Sequence, residues 1–154
     1  MLSSTGYLID TNVLLRLFRP FDREHQITKT ALGDLNGQGI GLYFSQQNIA
    51  EFWNVCTRPA ERNGYGLSIE QTNQCVQETE RAMTFLPDSD EVYSIWRRIV
   101  MVNIVSGVQV HDARLAALMQ AYGLIRILTM NQSDFQRYAS VQAIHPRQLL
   151  PSAS

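Results

Sequence analysis

Four acidic residues in this chain stand where carboxylates can do chemistry: Asp10, Glu51, Asp112 and Asp134. Asp10 directly follows Tyr7-Leu8-Ile9, an apolar run too short for a helix and suited to a buried strand. A second apolar run, Val13 to Phe18, can begin a helix, so Asp10 lies at the carboxyl end of a strand. In open parallel sheets ligands and catalytic groups collect there. Each acid also has a plainer reading. Asp10 and Asp112 can cap helices, Asp134 can close a turn, and Glu51 can be a solvated side chain. Together they imply more. Carboxylates gathered in one cleft repel one another and do not all ionise without a cation. A hard, oxygen-preferring divalent ion, Mg²⁺ or Mn²⁺, relieves that repulsion. Such an ion suits phosphate-ester hydrolysis, because it can activate a water and neutralise phosphoryl oxygens.

The elements that must position these acids are readable in order. Tyr7–Ile9 is the first strand, with a helix after it to about Arg19. A second helix is expected from Asp22 to about Leu35, closed by Gly37 and Gly39. Ile40–Phe44 is the second strand. Ser45 caps a helix to Thr57, which Pro59 stops. On that helix Ile49, Phe52, Trp53 and Cys56 share a face, and Glu51 lies off its centre, at a cleft edge. Ser68 to Gln71 is a capping-box pattern opening a helix to about Thr84. A short strand follows at 85–87, then a helix from Asp90 to Val102. Asp112 is expected to open a periodic helix lined by Leu115, Leu118, Met119 and Tyr122 and ended by Gly123. Leu124–Leu128 and Val141–Ile144 are the last strands, with a turn and short helix between them. Strands alternating with helices predict an α/β fold on a mostly parallel, five-stranded sheet. In a right-handed parallel sheet the strand ends and the following helix starts share one rim, so all four acids could meet there.

Composition sets bounds. The 154 residues suit one domain spanning 1–154. With 45% hydrophobic and 18% charged residues, the chain is an ordinary globular one. The net charge of −1 gives no global attraction for nucleic acid. The basic residues are twelve Arg and a lone Lys29, and Arg suits bidentate phosphate contacts. No apolar run of membrane-spanning length and no leader pattern are seen, so a cytoplasmic protein is expected. Cys56 and Cys75 lack metal-type spacing and read as reduced thiols.

Four segments taken together carry a resemblance: Ile9-Asp10-Thr11-Asn12, Ala50-Glu51, His111-Asp112-Ala113-Arg114-Leu115-Ala116-Ala117, and Leu128-Thr129-Met130-Asn131-Gln132-Ser133-Asp134-Phe135. In order and spacing, over nearly the whole chain, they resemble PIN-domain ribonucleases, and within these the VapC-type toxins of bacterial type II toxin–antitoxin pairs. The resemblance implies a PIN-like, Rossmann-like three-layer fold. It also implies an endoribonuclease dependent on Mg²⁺ or Mn²⁺, leaving 5′-phosphate and 3′-hydroxyl ends. The implied partners are RNA, a second copy of the chain and a small inhibitory antitoxin, with no membrane.

Carried over by position, Asp10, Glu51, Asp112 and Asp134 are the metal-binding, catalytic acids. Thr11, Asn12, Thr129 and Asn131 fall where small polar residues orient water or metal. Arg16, Arg58 and Arg114, with Arg19 and Arg62 behind them, are candidates for RNA phosphates. His111 is assigned a structural role. Trp53 and Trp96 are assigned to the core or a dimer interface rather than to base stacking. Three other readings stay open at this point. One is an RNA-processing or DNA flap nuclease of the same fold. Another is a catalytically silent RNA- or protein-binding module. The third, a flavodoxin-like domain, would want a phosphate-cradling Gly-rich loop, and none follows the first strand.

Overall fold

A computed structural model describes Leu2 and residues 5–151. Its centre is a five-stranded, wholly parallel sheet of β1 (Tyr7–Ile9), β2 (Leu42–Ser45), β3 (Thr84–Leu86), β4 (Arg126–Leu128) and β5 (Gln142–Ile144), in the order β3-β2-β1-β4-β5. The order reverses between β1 and β4, the switch point where an open α/β sheet leaves a crevice beyond its strand ends. Leu8 pairs with Ile127 and Ile9 with Leu128 in β4, so β1 carries Asp10 to the same edge at which Thr129 leaves β4.

The alternation along β1 divides the core. Leu8 faces one layer with Ile127, and Tyr7 and Ile9 face the other with Leu128, as the period of two in a strand requires. The Leu8 side is covered by α5 (Asp90–Val102) and α6 (Val110–Tyr122), through Val92, Ile95, Ile99, Leu115 and Leu118. The Ile9 side is covered by α1 (Thr11–Leu17), α2 (His25–Gly37) and α3 (Gln46–Thr57), through Val13, Leu14, Leu32, Leu35 and Phe52. α4 (Ile69–Ala82) packs outside α3. The layers are those expected of a PIN-like α/β protein.

Some boundaries differ from the expectation. α2 begins at His25 rather than Asp22, because Asp22 instead turns the chain and accepts the Glu24 amide at 2.8 Å. α6 begins at Val110, so Asp112 sits inside its first turn and does not cap it. An acid there still favours the helix through the amino-terminal end of its dipole. α6 is also buried nearly all round: Ala113 and Leu115 to Met119 are all buried, where the sequence pattern suggested one apolar side. The run of alanines lets the helix lie between α5 and the sheet. Gly123, at φ +75°, ends α6 in the left-handed conformation that glycine adopts without strain. Cys56 is free and buried, and burial pushes its thiol up to about 12. Cys75 is free and half-buried. Among the described residues no helix is long and apolar enough to cross a membrane.

Candidate active site

Asp10 is placed by two constraints at once. It ends β1, and it caps α1, whose first amide, Thr11 N, donates to Asp10 Oδ1 at 2.8 Å. Its other oxygen, Oδ2, accepts the Thr129 hydroxyl at 2.7 Å from the end of β4. That hydroxyl is fully used. It donates to Asp10 and accepts from Asn131 N at 3.1 Å and Asn12 Nδ2 at 3.4 Å, which exhausts a hydroxyl's one donor and two lone pairs. Asn12 turns its Oδ1 to the amide of Met130 at 3.0 Å. Asn131 Nδ2 holds Asp134 Oδ2 at 2.9 Å within a single turn of 3₁₀ helix, Gln132–Phe135. The carboxyl ends of the two central strands are thus laced together by Asp10, Asn12, Thr129, Asn131 and Asp134.

Thr11 belongs to a second network that sequence reasoning did not find. Its Oγ1 accepts from Asn48 Nδ2 at 3.2 Å, and Asn48 Oδ1 accepts both the backbone amide and the hydroxyl of Ser45, at 2.9 and 2.8 Å. Asn48 is fully buried. It completes a reciprocal cap with Ser45 at the start of α3 while tying that helix to α1. The signal was available: Ser followed three residues later by a side chain able to return the bond. Gln47, also missed, joins the two sides of the cleft. Its Nε2 donates to Glu51 Oε1 and to the backbone carbonyl of His111, both at 2.8 Å. Through it Glu51 on α3 is held beside the helix that carries Asp112. The half-buried Glu51 and Asp112, with Gln47, His111 and Arg114, line an open cleft of about 550 Å³.

The four carboxyl groups feel one another. Burial first, then the charges of Asp134, Asp10 and Glu51, push the Asp112 carboxyl up to about 7. Burial likewise pushes Asp10 up to about 6, against the pull of the Thr129 and Thr11 hydrogen bonds, with Glu51 and Asp134 adding to the rise. Tyr138, not singled out in the sequence, lies in the same field. Its buried hydroxyl has no hydrogen-bond partner. Burial, then Asp112 and Asp134, push that phenol up, and Arg137 pulls it back.

These shifts fix a pH dependence. For Asp10 and Asp112 the folded state holds its proton more tightly than the unfolded chain does. Their contribution to stability is therefore full below the unfolded value near 3.8 and is lost as pH rises through about 6 to 7. With chelator present, the thermal midpoint should fall by several degrees between pH 5 and pH 8, as scanning calorimetry at constant ionic strength would show. A flat or rising midpoint would mean that the carboxyl groups do not share one field.

The arginines separate. Arg114 lines the cleft and pairs with Asp88. Arg16 lies one turn beyond Asn12, donates to the Asn12 carbonyl at 3.2 Å and stands 3.8 Å from Asp22. Arg58 caps the far end of α3, about 10 Å of helix rise beyond Glu51, and donates to the Asn63 carbonyl at 3.0 Å. Its loop is tight: a Cβ on Gly64 would come within 1.9 Å of the Arg58 carbonyl oxygen. The expectation that Arg58 sits by the cleft overlooked that α3 runs away from the rim. Arg19 stacks on the Tyr65 ring, 3.8 Å from its centre. The Trp96 indole donates to the Val110 carbonyl at 2.9 Å and steadies the start of α6.

The donor set is all oxygen and suits a hard divalent cation. Each Asp10 oxygen carries a single hydrogen bond and keeps a lone pair. As they stand, no three Asp, Glu, His or Cys side chains among the described residues close into a metal-holding cluster.

A parallel α/β sheet with carboxyl groups around the crevice at its switch point describes a class of acid-cleft proteins. Within that class the family is defined: the PIN-domain model matches residues 7–141, and the chain belongs to the PIN-domain family, whose members are nucleases. Solved structures with similar folds include VapBC2 from Rickettsia felis bound to a DNA fragment of its promoter (13% identity over 90% of this chain and 97% of that one, TM-score 0.70). Another is VapBC-1 from nontypeable Haemophilus influenzae (16%, 91% and 97%, TM-score 0.66). A third is VapC20 from Mycobacterium tuberculosis, described as a Sarcin-Ricin loop cleaving toxin (17%, 79% and 87%, TM-score 0.57). No curated protein matches the chain in sequence.

Proposed function

We propose that this chain is an endoribonuclease toxin of VapC type, hydrolysing RNA phosphodiester bonds with Mg²⁺ or Mn²⁺. The observation that carries this reading is the placement of Asp10, Asp134, Glu51 and Asp112 around the strand ends by Thr129, Asn131 and Gln47, near enough for the other three charges to add to the burial that raises the Asp112 carboxyl. Four acids so placed are costly to a fold that makes no use of them, which speaks against a silent binding module. The RNA substrate and the antitoxin are supported by analogy with VapC20, described as a Sarcin-Ricin loop cleaving toxin, and with the VapBC structures.

Asp10, Glu51, Asp112 and Asp134 would hold the cation. Bound there, it would supply charge neutralisation for the phosphoryl oxygens and a lowered pKa for an attacking water. The chain's own groups do the rest. Thr129 and Thr11 N fix both Asp10 oxygens, Asn131 fixes Asp134, and Gln47 fixes Glu51. Asn12 and Asn48 hold Thr129 and Thr11 in turn. Arg114, at the cleft wall, is the cation placed to meet an RNA phosphate.

Two protein partners complete the proposal. Met101, Val102, Ile104 and Val108 are 70 to 86% exposed around and just after the end of α5, and exposed apolar residues close together mark an interaction surface. A second copy of the chain suits it. A short apolar segment of an antitoxin suits the groove between α1, α2 and α4 beside Phe21, which is 97% exposed.

Incubation of the purified protein with total RNA tests the enzymatic reading. Mg²⁺ or Mn²⁺ should support discrete cleavages with 5′-phosphate ends. Chelator should reduce them to background, and Zn²⁺ should not restore them, since no Cys/His ligand set is present. Cleavage undiminished in chelator, or none with either ion, would overturn it.

A further inference from the structure

A second groove, of about 330 Å³, opens beside the acid cleft and is lined by Asp88, Ser89, Val92, Tyr93, Trp96 and Arg114. Three features distinguish it from ordinary surface. It adjoins the acid cleft, with Arg114 lining both. Its floor is aromatic: the Tyr93 and Trp96 rings lie 6.4 Å apart and tilted by only 33°, and Tyr93 is 69% exposed. Its mouth carries a cation, Arg114, which is paired among the described residues with the exposed carboxylate of Asp88. Trp96 is also tied to the acid site, since its indole bonds the Val110 carbonyl two residues before Asp112.

An aromatic platform beside an arginine, next to the proposed phosphodiester-cleaving centre, is the chemistry that holds a single-stranded nucleotide. We propose that this groove is a base-stacking subsite for the RNA strand flanking the scissile phosphate, with a base over Tyr93 and Trp96 and its phosphate on Arg114. The proposal rests on the endoribonuclease reading and adds to it where the strand runs. It also gives Asp88 a role. That carboxylate competes with the phosphate for Arg114, so the pair acts as a latch that an incoming strand must open.

The test is binding of a fluorescein-labelled, mixed-sequence 12-nucleotide single-stranded RNA, read by anisotropy. The host is Asp112→Asn protein, in which cleavage is slow enough for binding to be read. Added to that host, Tyr93→Ala should weaken binding by about tenfold, and Tyr93→Phe should leave it unchanged because the ring is kept. Arg114→Met should weaken binding and lower the salt slope by somewhat less than one unit. Asp88→Asn should act in the opposite direction and tighten binding several-fold. With Asp112 restored, Tyr93→Ala should raise KM for the 12-mer and leave kcat nearly constant.

Binding unchanged in both Tyr93→Ala and Asp88→Asn, while the parent still cleaves RNA, would overturn the subsite and leave the nuclease reading standing. So would light scattering in which Tyr93→Ala turns a dimer into a monomer with no change in RNA affinity, since the groove would then belong to a second copy. A parent protein that cleaves no RNA with Mg²⁺ or Mn²⁺ would remove both readings together.

Discussion

Asp112→Asn is expected to give a folded protein that cleaves RNA slower by more than a hundredfold and, in chelator, unfolds at a higher temperature than its parent. Losing a group behind a metal ligand costs roughly 10–100-fold, and losing a proposed ligand should cost more. The gain in stability follows from what surrounds the side chain. Among the described residues no group donates a hydrogen bond to the Asp112 carboxyl, while Asp134, Asp10 and Glu51 all oppose its charge. An amide there loses no hydrogen bond and removes the repulsion. The difference in thermal midpoint should be near zero at pH 4, open as pH rises through about 7 and stay constant above it. Glu80, exposed on α4, is the control, and Glu80→Gln should change neither rate nor midpoint. Full activity in Asp112→Asn would remove the acid from the site.

Asp10→Asn should lose as much rate without the gain in stability. An amide nitrogen in place of Oδ2 would face the Thr129 hydroxyl, which already accepts from Asn12 and Asn131. Thr129 would keep a proton with no acceptor, an unmade bond worth about 1–3 kcal/mol when buried. From residue types alone the two substitutions look alike; the hydrogen bonds around Asp10 separate them.

That contrast shows where the sequence was legible. Asp10 was placed because the strand–acid–helix order is local, and one rim for the four acids followed from parallel topology. Glu51 was placed at a cleft edge by its angle on the helical wheel, and it lies there. What escaped acts across the chain. Gln47 reads as a solvated side chain until topology brings the carbonyl of His111, 64 positions away, within its reach. Asn48 reads as a polar residue near a helix start, and only the packing of α1 against α3 shows it fixing Thr11. Arg58 was drawn to the cleft by nearness in sequence, though a helix carries its two ends apart. Tyr93 carries no local signal along α5. Its meaning came from the neighbouring Trp96 and from Arg114, which belongs to the next helix.

Thr129→Val should move the pH dependence of the reaction while preserving the fold. The side chain is fully buried at the end of β4, and valine keeps its shape and its branching at Cβ. The hydroxyl is what disappears. It gives Asp10 Oδ2 its hydrogen bond and is the strongest influence holding the Asp10 pKa down. Without it the carboxyl, already raised to about 6 by burial, should rise further, because less now favours its charged form. The acidic limb of kcat/KM at limiting Mg²⁺ should therefore shift to higher pH. The rate should be strongly reduced at pH 6 and recover toward the parent's by pH 8 to 9. Asn131 N and Asn12 Nδ2 also lose an acceptor, so a midpoint lower by about 4–8 °C is expected. That deficit should grow as pH rises through 6, where the folded variant has to give up a proton it holds more tightly than the parent does. Thr129→Ser restores the hydroxyl and should restore the limb even if the lost methyl lowers the midpoint. An acidic limb that stays in place in Thr129→Val would show that Asp10 does not set it.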